Sequence, residues 1–197
     1  MGINYTDKRI HWNLFLALER EFEIVARYIE PCAANNDTYS IELARLLMSA
    51  SQEVDVVLKA YCQKLNGNTV AKGIESYLST INAHNTDFLN VEVGIPHYGM
   101  SSKPFIDWTV SSPPLWWTAN NKVKHHRSTD FNRASLKNTY NALCALEISI
   151  IHLYQVELRE LGKDYGWSDV TKLLVPRPRL FIPKNGYYQD IIDGGLI

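Results

Sequence analysis

Apolar residues recur at three- and four-residue intervals through Trp12, Phe15, Leu16, Phe22, Val25, Ala26 and Ile29, with Glu19, Arg20, Glu23 and Arg27 falling largely on other faces. That spacing predicts an amphipathic helix from Trp12 to Glu30, closed by Pro31. A second helix is expected behind Ser40, whose hydroxyl suits an N-cap and whose neighbour Glu42 suits the first turn. Its apolar face runs through Ala44, Leu47, Met48, Ser51, Val54, Leu58, Tyr61 and Leu65 to the stop Asn66-Gly67-Asn68. Thr69 opens a third helix through Ile74, Tyr77, Leu78 and Ile81, fading at His84-Asn85.

The period then falls to two. Leu89, Val91, Val93 and Ile95 alternate with polar or small residues, as do Ile106, Trp108 and Val110. Such alternation marks half-buried strands, so a hairpin with a long loop over 96–104 is expected. Ser111-Ser112-Pro113-Pro114 reads as a helix start, with serine as cap, and a fourth helix covers Leu115 to Arg127. The longest helix runs from Asn132 to Lys163 on the stripe Leu136, Tyr140, Leu143, Cys144, Ile150, Ile151, Tyr154, Leu158 and Leu161. The remainder carries Pro176, Pro178, Pro183 and Gly194-Gly195 and is expected to be extended, docked through Leu173, Leu174, Leu180, Phe181 and Ile182. The fold expected is all-α: an antiparallel bundle of about five helices, with a small β-hairpin inserted at 88–111 between the third and fourth. Residues 1–163 would form the bundle domain and 164–197 an extended tail docked on it.

Composition narrows the function classes. The 197 residues hold 20 Lys+Arg against 21 Asp+Glu, a formal net charge of −1, so no bulk attraction to nucleic acid or an anionic membrane exists and such binding needs a local patch. Cys32, Cys62 and Cys144 are widely spaced and odd in number, which argues against a disulfide framework or a zinc site and for reduced thiols in helices. No stretch is long and apolar enough to span a membrane. Met1-Gly2 with Thr6 fits a short myristoylation pattern, but a soluble, cytoplasmic protein is the expectation.

One segment stands apart. Trp116-Trp117-Thr118-Ala119-Asn120-Asn121-Lys122-Val123-Lys124-His125-His126-Arg127 gathers two of five tryptophans, two of six histidines and three cations, with Arg133 close behind. Helical geometry projects Trp117, Asn121, Lys124 and His125 together, and pairs Lys122 with His126. Cations disfavour an imidazolium, and a neutral imidazole accepts protons as a general base. Lysine and arginine hold phosphate and stabilise its developing charge. Together these suit metal-independent RNA cleavage, with no cofactor. Helix-end cations also complement the macrodipole, and the tryptophans suit core anchors. His11, His84, His97 and His152 are isolated. Glu53, Asp55 and Lys59 form either a polar cluster facing the patch or a surface ion pair, and Val175-Pro176-Arg177-Pro178-Arg179 either a phosphate contact or a solvated tail.

Ser51-Gln52-Glu53-Val54-Asp55-Val56-Val57-Leu58-Lys59 on the second helix and Asn121-Lys122-Val123-Lys124-His125 on the fourth resemble the HEPN superfamily, the higher-eukaryote and prokaryote nucleotide-binding domains. The resemblance spans residues 12 to 162. It implies a helical bundle that dimerises through its motif helices, as in metal-independent ribonucleases of toxin–antitoxin and phage-defence systems. His125 matches the motif histidine and Asn121 the polar position before it. Ribonuclease members carry an arginine four to six residues ahead, where this chain has Ala119, Asn120 and Asn121; with His126 as the motif residue, Lys122 lies four before it. The resemblance thus implies catalytic roles for His125, His126, Lys122 and Asn121, RNA-phosphate contacts from Lys124, Arg127 and Arg133, a homodimer, and an antitoxin or other defence-system partner. The alternatives are a non-catalytic interaction module, and a nucleotide or phosphate-ligand binder working beside loop 96–104.

Overall fold

In the computed structural model, residues 8–67, 73–160, 162, 166–184 and 187 are described. Two 25-residue helices, α2 (Ile41–Leu65) and α6 (Leu136–Glu160), form the axis of the molecule. Ser40 caps α2 as its sequence suggests, its Oγ accepting from the Leu43 amide at 3.1 Å. Leu43, Leu46, Leu47, Ala50, Val54, Val57 and Leu58 have no exposed surface, because α2 packs on several neighbours at once. The partner helix α6 is still more enclosed, with Leu143, Cys144, Ile148, Ile150 and Ile151 all at 0 % exposure.

These two helices run parallel, against the up-and-down arrangement expected. The Thr139 hydroxyl donates to the Leu43 carbonyl at 3.1 Å and Lys64 meets Glu160 at 2.5 Å, the same 96-residue offset at both ends. The chain between them is long enough to return to the starting end, which a short bundle loop could not do. In contrast, α1 (Ile10–Ala26) is antiparallel to α2, with His11 against Glu53 at 2.5 Å and Glu21 against Arg45 at 2.6 Å.

The returning segment contains α3 (Ile74–His84), a small sheet and α4 (Leu115–His125). Strand β1 (Val93–Ile95) pairs antiparallel with β2 (Met100–Ser102), Ile95 opposite Met100, and with β3 (Ile182–Pro183), Gly94 opposite Ile182. The order is β2-β1-β3. The expected second strand over 106–110 is absent: Ile106 and Val110 are 59 % and 85 % exposed while Trp108 is buried, and Trp108 N–H closes a turn on the Phe105 carbonyl at 3.1 Å. A tight reversal at Gly99, with φ +61°, selects the nearer strand instead.

After α4 come the four-residue α5 (Arg127–Asp130) and a 3-10 turn, so the last long helix begins at Leu136 and not Asn132. The tail is not wholly extended. Trp167–Leu173 is a short helix, α7, because Trp167, Val170, Thr171 and Leu174 repeat with helical spacing. The docking residues behave unequally: Leu174, Leu180 and Phe181 are buried, Ile182 is half-buried, and Leu173 is 38 % exposed. Phe181 joins an aromatic cluster with Phe15, Phe22 and Tyr140, at centroid distances of 5.6–6.0 Å.

Two glutamates are buried in this core. Glu19, expected on a polar face, is 2 % exposed, and its Oε1 accepts the amides of Arg179, Leu180 and Phe181 at 2.8, 2.8 and 3.3 Å. It thereby satisfies backbone donors that the docked tail would otherwise leave orphaned. Glu147 is fully buried and neither carboxyl oxygen has a partner. Burial first, then the like charge of Glu19, push its pKa well above the usual carboxylate range, so it is held as the neutral acid.

Cys62 and Cys144 are buried free thiols in α2 and α6, and burial pushes Cys62 up to about 12. Cys32 lies ahead of a 3-10 turn, outside the long helices. No helix among the described residues is long and apolar enough to cross a membrane. Met1, Gly2, Thr6, Thr69 and Gly194-Gly195, which carried terminal and helix-start expectations, lie outside the described residues.

Candidate nucleic-acid interface

Helix α4 owes its orientation to Trp116, Ala119 and Val123, which are buried at 2 %, 4 % and 0 %. Trp116 is pinned further by its Nε1–H, which donates to the Pro104 carbonyl at 2.7 Å. Its start is held from a distance. Pro114 occupies the N-cap without a side-chain bond, and Asp107 Oδ2 accepts from the Leu115 amide at 2.9 Å, replacing the serine cap expected from Ser111 and Ser112. The helix ends where His126 leaves helical geometry, at φ −132° and ψ 43°.

With the inner face fixed, Asn121, Lys122, Lys124, His125, His126, Arg127 and Arg133 are all solvent-exposed. They do not converge on one point. Lys122 and Arg133 line a cavity of about 290 Å³ with Lys137, Asp37, Thr118 and Asn138. Asn121 and Lys124 line a second, of about 510 Å³, with Trp117 and Asn120 of α4 and Ser51, Gln52 and Asp55 of α2. Arg127 borders a third, of about 770 Å³, floored by Ile41, Ala44, Met48 and Phe131. Its guanidinium donates to the Met48 sulfur at 3.2 Å. His125 and His126 line none of these three. Of the four residues expected to project together, Trp117, Asn121 and Lys124 line one cavity and His125 does not.

Among the described residues, Lys122, Lys124, Arg133 and Lys137 make no ion pair with a carboxylate, whereas Arg45, Lys64, Lys172 and Lys184 do. A phosphate would therefore break no carboxylate ion pair at the first group. The two segments carrying the family resemblance meet here, since Ser51, Gln52 and Asp55 face Asn120, Asn121 and Lys124 across the second cavity. Glu53 and Lys59 are not part of that wall: Glu53 binds His11, and Asp55 accepts from Tyr77 at 3.0 Å instead of pairing with Lys59. Arg177 and Arg179 are exposed in the tail.

Lys137 escaped the sequence reading. Its signal was a cation in the first turn of a long helix, where the dipole disfavours positive charge, four residues after Arg133. His152 was likewise read only as isolated. It is buried, with Nδ1 against the Asn85 amide at 3.0 Å and Nε2 against the Tyr187 hydroxyl at 2.8 Å. Burial first, then Arg159, push it down to about 3, so it is a neutral packing element. His84 bonds the Thr80 carbonyl at 2.9 Å, and His97 packs edge-on against Tyr98. Among the described residues no three His, Cys, Asp or Glu side chains are grouped to hold a metal ion.

Neither a family model, nor a curated protein, nor a solved structure matches this chain.

Proposed function

We propose that the protein is a divergent HEPN-like homodimer of the toxin or phage-defence type, which binds RNA across the exposed end of α4 and cleaves it without a metal. The observation that carries this reading is the set of exposed cations without carboxylate ion pairs, Lys122, Arg133 and Lys137 at one cavity and Lys124 at the next, on the same end of the molecule as two exposed histidines. One imidazole takes the proton of a ribose 2′-hydroxyl as its oxygen bonds to the adjacent phosphorus. The 5′-oxygen–phosphorus bond breaks, and a second acid protonates the departing oxygen. The products are a 2′,3′-cyclic phosphate and a 5′-hydroxyl. Lys122 and Arg133 stabilise the charge that grows on the phosphoryl oxygens, Lys124 and Arg127 hold phosphates further along the strand, and Asn121 orients it.

Ala119, Asn120 and Asn121, standing where ribonuclease members carry arginine, favour a second reading in which the same surface binds RNA without cutting it. Incubation of the protein with RNA in EDTA separates the two. Cyclic phosphate ends that disappear in His125→Ala establish cleavage through His125; equal cleavage by the variant refutes the assignment. Salt-dependent binding without cyclic ends leaves the binding reading standing.

A further inference from the structure

The cavity between α2 and α4 has a feature that the phosphate-binding reading does not use. Ser51 lies at its floor, is 1 % exposed, and its hydroxyl has no hydrogen-bond partner. The other buried hydroxyls among the described residues have partners. Ser149 donates to the carbonyl four residues back at 2.7 Å and Thr139 does so at 2.9 Å, a bond that Ser51 does not make. An orphaned buried hydroxyl costs about 1–3 kcal/mol, which a partner in the cavity that Ser51 lines would relieve.

The rest of the lining says what that partner is. Gln52, Asn120 and Asn121 supply three carboxamides, each with donors and an acceptor, and Asp55 retains an oxygen beyond the one bound to Tyr77. Trp117, half-buried, supplies an aromatic surface, and Met48 a polarisable one. Lys124 stands as the cation of the set. Carboxamides read the hydrogen-bonding edges of bases, aromatic rings stack on their faces, and single-stranded RNA is recognised through bases splayed out in this way. At about 510 Å³ the cavity is of small-molecule size.

We infer that this cavity holds one unstacked base of the bound strand, its face on Trp117, its edge on Ser51, Gln52 and Asn120, and its backbone phosphate on Lys124. The inference rests on the RNA reading and adds to it a preference for base identity.

Free nucleosides test it, because they lack the phosphate that the other cations would attract. The full chain, labelled with nitrogen-15, is titrated with adenosine, guanosine, cytidine and uridine while the Trp117 indole resonance, assigned through Trp117→Phe, is followed. The expected result is a Trp117 shift with one nucleoside bound about tenfold more tightly than the weakest, and no displacement by inorganic phosphate. Ser51→Ala and the exposed-site change Gln52→Ala should each weaken the preferred nucleoside about fivefold, as the loss of one hydrogen bond near 1 kcal/mol implies. Equal shifts with all four nucleosides, displacement by phosphate, or unweakened binding in both variants overturns the inference. Binding of a short RNA is measured alongside. RNA bound without nucleoside discrimination removes the base pocket and leaves the RNA surface; a discriminating pocket without RNA binding supports the cavity assignment and removes the RNA reading.

Discussion

Replacing Glu147 by glutamine tests the electrostatics of the core with little change of shape. The carboxyl is fully buried, without a partner, and burial raises its pKa well above the ordinary 4.5. The folded protein therefore keeps a proton there which the unfolded chain releases above about pH 4.5. A raised folded pKa gives stability that is complete below the unfolded value and is lost as pH climbs, at about 1.4 kcal/mol per pH unit. His152 has the opposite sign. Its pKa is pushed from 6.5 down to about 3, so only the unfolded chain takes up its proton, and stability falls as pH drops from 6.5 toward 3. Above pH 4.5 these two slopes have opposite signs, so the Glu147 contribution falls with rising pH while that of His152 grows toward 6.5.

Glutamine cannot titrate, so Glu147→Gln removes one slope and exposes the other. Urea unfolding of both proteins, followed by circular dichroism at half-unit steps from pH 4.5 to 7, gives the difference directly. The variant's stability relative to the parent should rise as pH climbs above 4.5, at up to about 1.4 kcal/mol per unit for as long as the parent's folded carboxyl keeps its proton. Taking the difference cancels every group that titrates alike in both proteins. A gap that stays constant with pH would mean that Glu147 ionises equally in the folded and unfolded chains, and the account of a neutral buried acid would fail.

Two further changes examine the construction of the site's surroundings. Asp107→Ala removes the acceptor that caps α4 through the Leu115 amide, and should lower stability by about 1 kcal/mol; an unmoved urea midpoint would show that the cap contributes nothing. Gly99→Ala puts a side chain at φ +61° with no atom within 4 Å of the new Cβ, so its cost is conformational alone, about 1 kcal/mol. A stabilised variant in the same unfolding assay would contradict that assignment.

Where a pattern is repeated over many turns, it was readable in the amino-acid order. The core faces of α1, α2 and α6 and the cap at Ser40 reappear in place, whereas the expected alternation over 89–95 shrinks to a strand at Val93–Ile95 that is buried at all three positions, with Leu89 in a 3-10 turn. Direction was not readable, since the parallel course of α2 and α6 depends on how the intervening chain returns. Nor was the partner of β1: Met100-Ser101-Ser102 has no alternation, and its pairing comes from the Gly99 reversal. Glu19 and Glu147 were hidden because charge at a stripe position reads as solvent-facing. Glu19 lies three residues from both Leu16 and Phe22, and Glu147 four from both Leu143 and Ile151, positions that geometry assigns to the core. At the candidate site the composition of the patch was legible, but its division among three cavities follows from the break at His126 and from Lys137, brought in by another helix.

That division bears on the kind of anion the surface fits. Trp116, Ala119 and Val123 fix the rotation of α4 in the core, and successive residues advance about 100° around the axis. Lys122 and Lys124 therefore leave α4 in different directions, and Arg127, beyond the break at His126, borders a third space. A lone phosphate would engage Lys122 with Arg133 and Lys137 and leave Lys124 and Arg127 idle. A strand carrying phosphates at regular intervals would engage them in succession and release a counterion at each. The same core anchors that make α4 a structural helix thus favour an extended polyanion over a compact ligand at its exposed end.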